Sequence, residues 1–494
     1  MQWLKTKTIE QALADSDEPG RQLQRTLGVF DLMILGLAVA VGAGIFSVGA
    51  RAAGSFAGPA VIFSFLLAAA TCALAIMCYA EFASAVPVTG SAYTYTYLTL
   101  GEGLAWIIGW NLLLEMISAA AVLAKYWGIY LSAVFSTAGL DISQTIELGS
   151  ISLNWGPFFV VTAFTALLIA GTQVSAKVNN VFTIIKLAIT VFVIVVGFTY
   201  MNTDNFTPFI PAAQPPVVAH GVTADMWGQP MLAWMFGAAP SQYGWLGVVS
   251  GASLVFFAFL GFDVVATSAE EVKDPQRTLP RGILGGLALV TVLYILVTLA
   301  LTGMVPYTEL AKAENPSLAT AFVAVGAGWA AQVISVGVLI GMTTVVMVLL
   351  MGSSRVLLAL CRDGLLPRSW GVTSATRKTP VRLQLAVGVV VALLAGFTKV
   401  ELLEEMINIG TLSAFVLVSI GVLVLRKKRP QSAGGYRVPW VPVLPVLSAL
   451  LCLYLMLNLT TLTWVRFIAW MALGVAVYMA YGMRHSRLAQ ANKK

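Results

Sequence analysis

The chain has 494 residues, of which 59% are apolar and 10% charged, against about 25% charged in an ordinary soluble domain. So few charges cannot cover a water-soluble globule of this length, and the net charge of +7 is spread between apolar runs instead of forming a nucleic-acid-binding patch. Only two histidines are present, His220 and His485, which excludes a histidine metal centre or a histidine-based triad, and with it most membrane enzymes. The four cysteines, Cys72, Cys78, Cys361 and Cys452, have no disulfide spacing and read as packing residues.

A bilayer-crossing helix needs about 20 mostly apolar residues. Twelve stretches qualify, near 30–56, 58–84, 101–136, 156–175, 178–200, 248–271, 282–304, 328–360, 381–398, 402–425, 441–458 and 463–482. The chain is therefore expected to be an all-α integral membrane protein with 12 transmembrane helices. The polar first 27 residues, with no apolar signal core, read as a cytoplasmic segment, and 484–494 as a cytoplasmic tail. That orientation places Lys5, Lys7, Arg21, Arg25, Lys177, Lys273, Arg277, Arg281, Arg362, Arg368 and the basic tract 426–429 inside. Only Arg51, Lys125, Lys312, Lys399 and Arg466 fall outside. The tract 426–429 reads first as an orientation signal and second as a contact for anionic lipid. The segment 201–247, rich in Pro, Gly and Trp, is expected as an extracellular loop, either a lid or short helices.

Two spans are interrupted. The first contains Gly42-Ala43-Gly44-Ile45-Phe46 near its midpoint, where each glycine costs about 1 kcal/mol of helix propensity. Unwinding there frees N–H groups at the positive end of the outer half-helix, a seat for a carboxylate. Close helix packing through small residues is the competing reading. A dinucleotide fingerprint is excluded, because residue 47 is a serine and no strand precedes the stretch. The sixth span carries Phe256-Phe257-Ala258-Phe259-Leu260-Gly261-Phe262-Asp263, and unwinding near Ala258 to Gly261 frees carbonyls that accept hydrogen bonds from an ammonium group. One broken helix offering donors and another offering acceptors suits a zwitterion at the membrane midplane. The two broken spans open units of similar length, 28–200 and 248–426, with five spans each. Five is odd, so the second unit enters the membrane from the opposite side, and 427–483 adds the last two helices.

At these residues the chain resembles the amino acid–polyamine–organocation (APC) superfamily, in particular bacterial members of the cationic amino acid transporter family. Beyond Gly42–Phe46, the likeness is carried by Tyr79-Ala-Glu-Phe-Ala-Ser-Ala-Val-Pro-Val-Thr-Gly-Ser-Ala-Tyr-Thr-Tyr95 and by Phe257–Asp263 running on to Glu270-Glu-Val-Lys-Asp-Pro-Gln-Arg-Thr-Leu-Pro280. It continues through Arg362-Asp-Gly-Leu-Leu-Pro367, Asn408-Ile-Gly-Thr-Leu412 and Tyr436-Arg-Val-Pro439. The resemblance implies a leucine-transporter-type 5+5 inverted repeat with helices 1 and 6 broken, and proton-driven amino acid uptake with no cofactor. It also implies a substrate carboxylate on the backbone near Ala40, Gly42, Ala43, Gly44 and Ile45, and an ammonium group on the carbonyls of Phe257, Ala258 and Leu260. Many relatives have a hydroxyl residue where this chain has Ala43, so one hydrogen bond to the carboxylate is expected to be missing.

Ionisable residues inside an apolar span are seldom idle. Lys186 lies about nine residues past Lys177, and from its position alone it either snorkels to the surface or is a buried amine that loads and unloads a proton. The resemblance adds that lysine stands here where sodium-coupled relatives hold a sodium ion, which implies a proton-coupling role. Glu115, in the third span, has two readings, a proton relay or a structural hydrogen bond. Asp263 is expected to cap or bridge the sixth-span break. Glu81, Arg355 and Asp363 are expected to be solvated near the cytoplasmic ends, and Tyr93, Tyr95 and Tyr97 to anchor at the interface.

The nameable pocket residues are small or apolar (Ala43, Ala258, Phe257, Leu260), with Leu349 and Leu350 expected at the far end. The substrate expected is therefore a small or medium neutral L-amino acid, with arginine or lysine transport and amino acid exchange as alternatives. A membrane sensor on the same fold is a remoter one. The expected partners are the amino acid and membrane lipid, and the expected location is the cell membrane.

Overall fold

The computed structural model describes residues 27–486, apart from 43, 86–90, 138, 141–142, 149–150, 172–175, 216–225, 238–241, 263–264, 266–271, 314, 373, 375–378 and 429–435. Most of what it describes is helix. Seven helical runs are long and apolar enough to cross a membrane, and five shorter apolar helices accompany them among the described residues. The chain is a multi-pass membrane protein.

The first span begins as α1 (Val29–Ala40) and stops where Val41 turns to an extended backbone. Helix resumes as α2, a run over 44–57 with π-helical turns at Gly44–Val48 and Ala53–Ala57. After a turn at Gly58–Ala60, the chain returns as α3 (Val61–Ala85). A short α4 (Ser91–Thr99) leads into the long α5 (Glu102–Thr137). An antiparallel hairpin pairs β1 (Thr145–Leu148) with β2 (Ile151–Asn154), and α6 (Trp155–Ile169) and α7 (Ala176–Thr199) follow.

The loop expected over 201–247 contains a 3-10 turn at Thr203–Phe206 and the helix α8 (Met231–Phe236). The next span starts four residues before its expected limit, as α9 (Gly244–Val255), and tightens into a 3-10 turn at Phe256–Phe259. Then come α10 (Pro275–Met304), α11 (Tyr307–Lys312), α12 (Leu318–Ala324) and α13 (Gly328–Arg362). The chain ends with α14 (Val381–Phe397), α15 (Val400–Lys428), α16 (Val443–Leu457) and α17 (Thr461–Val477), the last extended by helical turns to His485. Pro275 opens α10 seven residues before the expected residue 282, since proline suits the first helical position, where its missing N–H has no partner to lose.

The long helices sort into two packed groups. Helices α1, α2, α3, α9 and α10 pack on one another, as do α5, α6, α13 and α14, while α7 lies against α10 and α13, and α15 against α3 and α5. The face of the bundle where α1 begins is called the near face here, and the opposite one the far face. Helix α5 starts at the near face, and α13 and α15 end there.

Large apolar side chains point away from the bundle on the outer helices, as on α7, where Val181, Ile184, Val191 and Val195 are exposed. In a lipid bilayer that exposure carries no penalty, which is why these helices are apolar on their outer faces as well.

Candidate functional site

The two interruptions meet. Helix α9 ends in an extended Leu260 and a left-handed Gly261 (φ +100°), a conformation that glycine adopts without steric cost. A Cβ on Gly261 would lie 2.0 Å from Val39 Cγ1, and one on Gly44 would lie 2.4 Å from Ala258 Cα. Small residues at these positions therefore do two things. They allow the helices to break, and they let the two broken segments touch. Of the two readings of Gly42–Gly44, unwinding and close packing, both are realised.

Tyr294 on α10, fully buried, joins the breaks. Its hydroxyl lies 2.5 Å from the Ala40 carbonyl and 2.7 Å from the Ala258 carbonyl, so one phenolic hydrogen is shared between the last turn of α1 and the 3-10 turn after α9. Sequence reasoning missed this residue. The signal was present as a polar stripe, Thr291, Tyr294, Thr298 and Thr302, at helical spacing along one face of an otherwise apolar span.

Beside the breaks lies a cavity between the two helix groups. Val39, Ala40, Gly42 and Gly44 line it from the first broken span, and Phe257, Leu260 and Gly261 from the second. Glu115, Met116, Ala119 and Leu123 of α5 face them, with Val345 and Leu349 of α13. The space between atoms, open mouth included, is about 600 Å³, of which about 60 Å³ is room for the centre of a water-sized sphere. The wall is predominantly apolar, and Glu115 is its one carboxylate among the described residues. The lining reaches from the breaks towards the near face, through Val39, Glu115 and Leu349.

Most of the expected site residues thus come together. Ala40, Gly42, Gly44, Phe257, Leu260 and Glu115 line one cavity, and Leu349 does so as expected. Ile45 and Ala258 are buried behind the wall, with Ala258 against Gly44, and Leu350 is buried one position round the helix from Leu349. Ala43 and Asp263 lie outside the described residues, as do Glu270 and Glu271.

Lys186 does not snorkel. It is 3% exposed, and its ammonium group donates a hydrogen bond to the carbonyl of Ala38, two residues before the end of α1. The phase of α7 explains this: Thr183, Lys186, Thr190 and Val193 are buried on one face, opposite the exposed Val181, Ile184, Val191 and Val195. Gly341 of α13 makes room for the lysine stem, since a Cβ there would lie 2.5 Å from Lys186 Cγ. Lys186 thus connects three helices, its stem packing on α13 and its amine holding the end of α1 beside the break. Glu115 is 7% exposed, and one turn earlier on α5 Asn111 donates to the Gly410 carbonyl (2.6 Å) and to Ser413 (2.9 Å) of α15.

Several near-face expectations are corrected. Glu81 is 5% exposed and takes a bidentate pair from Arg426 (2.8 and 2.9 Å), plus the backbone N–H of Val438 at 2.7 Å. The partly exposed Arg426 thus has its guanidinium held by Glu81 and by the Val438 carbonyl (2.7 Å). Tyr93, Tyr95 and Tyr97 are buried: Tyr93 donates to Asp363 (2.6 Å), and Tyr97 donates to Glu102, as does Tyr478. The alternation suggested interfacial anchors, but the hydroxyls of Tyr93 and Tyr97 are held by carboxylates, Asp363 at the end of α13 and Glu102 at the start of α5. All four cysteines are buried, and none of them forms a disulfide.

A cavity walled by two interrupted helices, in the interior of a multi-pass membrane protein, is the architecture of a solute transporter. The profile of the amino acid permease family matches residues 27–479, and the chain belongs to that family, within the APC superfamily. It is 40% identical to the methylthioribose transporter of Bacillus subtilis (strain 168) over 487 residues, covering 98% of each chain. It is 38% identical to the branched-chain amino acid permease BcaP of the same organism over 491 residues, again covering 98% of each. Human cationic amino acid transporter 4 is 36% identical over 422 residues, which cover 84% of this chain and 62% of that one. These relatives are transporters and permeases, and this chain is a transporter, not an enzyme.

Proposed function

We propose that the protein is a proton-coupled permease for neutral L-amino acids with small or branched apolar side chains, working by alternating access. The observation that carries this reading is the pairing of two broken helices at one apolar cavity. Backbone N–H groups at the start of α2 receive the substrate carboxylate, helped by the positive end of that half-helix. Carbonyls of the turn at Phe257 to Leu260 receive the ammonium group. Met116, Ala119, Leu123, Val345 and Leu349 accept the side chain. A neutral apolar side chain fits this wall without a desolvated, unpaired charge. The relative named for branched-chain amino acids supports the same class.

Lys186 takes the proton-coupling role. It holds the Ala38 carbonyl next to the break, so a change in its protonation alters a contact of the helix that binds the carboxylate. Glu115, at the near end of the cavity, relays the proton. The cationic alternative rests on Glu115, the wall's one carboxylate among the described residues.

The two packed helix groups and the two matched breaks support a 5+5 inverted repeat of 28–200 and 248–426. The excess of basic residues towards the near face supports a cytoplasmic near face, and the reading is of a permease in the cell membrane.

Uptake into proteoliposomes under an imposed pH gradient tests the function. Accumulation of leucine or alanine against its gradient, competed by neutral amino acids, is the expected result. Strong competition by arginine or lysine without competition by alanine would overturn the substrate class.

A further inference from the structure

The end of α9 is held by a residue outside the cavity wall. Asn408 of α15 is fully buried, and its side-chain amide donates to two successive carbonyls in the last turn of α9, Ser253 (2.9 Å) and Leu254 (3.2 Å). Two turns further along the same face of α15, Phe415 packs edge-on against Phe256, with ring centroids 5.8 Å apart. Helix α15 thus meets the second break twice, at the carbonyls that precede it and at the first ring of the 3-10 turn.

These carbonyls stand where the bonding pattern changes. Helix α9 tightens into the 3-10 turn at Phe256–Phe259, whose bonds reach back three residues, as from the Leu260 N–H to the Phe257 carbonyl (3.2 Å). A change from four-residue to three-residue bonding leaves one carbonyl without its helical donor, and Asn408 supplies N–H groups at that point. It offers them from a fixed position. One turn before it, Glu404 pairs with Arg51 of α2 and accepts a hydrogen bond from Tyr126 of α5 (2.6 Å), while Glu405 accepts from Thr460 and Thr463 at the turn into α17. The Asn408 amide oxygen has no partner among the described residues, so the residue makes its contacts through its donors.

We propose that Asn408 is a positioning residue for the ammonium end of the substrate: by holding Ser253 and Leu254 it fixes where the helix gives way to the 3-10 turn, and so where the carbonyls of Phe257, Ala258 and Leu260 point. This deepens the transport reading above and rests on it. Asn408 does not line the cavity, so it acts on the ligand only through that turn. A hydrogen bond weakens steeply away from its preferred angle. A small rotation of the turn therefore costs affinity for the ammonium group and leaves the carboxylate seat on α2 as it was. Plain helix-to-helix adhesion, the other use of a buried asparagine in a membrane protein, makes no such distinction between the two ends of the ligand.

The test uses the full-length protein, in lipid nanodiscs for binding and in proteoliposomes for counterflow. Asn408→Leu removes both donors at similar volume, and Asn408→Asp keeps the shape while offering at most one. Displacement of radiolabelled leucine is measured with three ligands, each taken to concentrations at which it competes. They are leucine, leucine methyl ester, which keeps the ammonium group, and 4-methylpentanoate, which keeps the carboxylate. Affinity for leucine and for the ester is expected to fall several-fold in Asn408→Leu and less in Asn408→Asp. Affinity for 4-methylpentanoate is expected to stay unchanged, and leucine counterflow at saturation to be retained. Equal losses for all three ligands overturn the proposal, as does unchanged affinity in both variants. Loss of a cooperative melting transition in both variants would assign the asparagine to folding and overturn it too. Leucine counterflow by the unsubstituted protein tests the transport reading separately, so failure of one is distinguishable from failure of the other.

Discussion

Gly44 and Ala258 touch across the two helix breaks, so closely that a Cβ on Gly44 would lie 2.4 Å from the Ala258 Cα and 2.5 Å from its Cβ. The contact is backbone against backbone, and no side-chain rotation relieves it. Gly44→Ala is therefore expected to push the broken segments apart, costing about 1–3 kcal/mol of stability as overpacking does and abolishing uptake. Melting temperature and leucine uptake in proteoliposomes check this. Uptake at the native level would show that the contact is dispensable.

Lys186→Ala removes the amine that holds the Ala38 carbonyl. The expected result is loss of accumulation driven by a pH gradient, with the protein still folded. Proteoliposome uptake with and without the gradient reads this directly, and undiminished accumulation in the variant would refute the coupling role.

Tyr294→Phe keeps the ring and deletes the hydroxyl shared by Ala40 and Ala258. A hydrogen bond of this kind contributes about 0.5–1.5 kcal/mol net. Apparent substrate affinity is expected to fall roughly three- to tenfold, since RT ln 10 is about 1.4 kcal/mol. Equilibrium binding of radiolabelled leucine measures it.

Leu349 and Ala119 line the cavity from two neighbouring helices, α13 and α5. Ala119→Leu should exclude leucine while sparing alanine, and Leu349→Ala should admit larger side chains such as phenylalanine. Methylene-scale changes in an apolar pocket are worth about 1–3 kcal/mol each. Competition profiles against the set of neutral amino acids test both.

Glu81→Gln leaves Arg426 without its bidentate partner and weakens the bond to Val438. Breaking a buried pair by removing one partner costs about 3–5 kcal/mol, and the partial exposure of Arg426 moves the effect towards the lower figure. A lower melting temperature with the substrate preference intact is the expected signature.

Much of this was legible in the sequence because it is local. Span limits follow from hydropathy, and the breaks at Gly42–Gly44 and near Gly261 follow from helix-breaking residues where lipid tolerates no free backbone. What escaped was long-range. Glu81 and Arg426 are 345 positions apart, and Arg51 and Glu404 are 353 apart. Hydropathy treats each of those four as a charge at a membrane edge, and only packing of α3 on α15 and of α2 on α15 makes them pairs. Tyr294 and Lys186 sit between these cases. Their helical phase is written in the stripes Thr291-Tyr294-Thr298 and Thr183-Lys186-Thr190, but the carbonyls they bind exist as acceptors only because another helix breaks beside them.

Binding of leucine beside two truncated analogues is the sharpest test of how the cavity holds its ligand. The analogues are leucine methyl ester, which lacks the carboxylate, and 4-methylpentanoate, which lacks the ammonium group. In thermal-shift titrations of the purified protein, leucine should raise the melting temperature and neither analogue should do so at the same concentration. Stabilisation by either analogue equal to that by leucine would contradict a site in which two broken helices grip the opposite ends of a zwitterion.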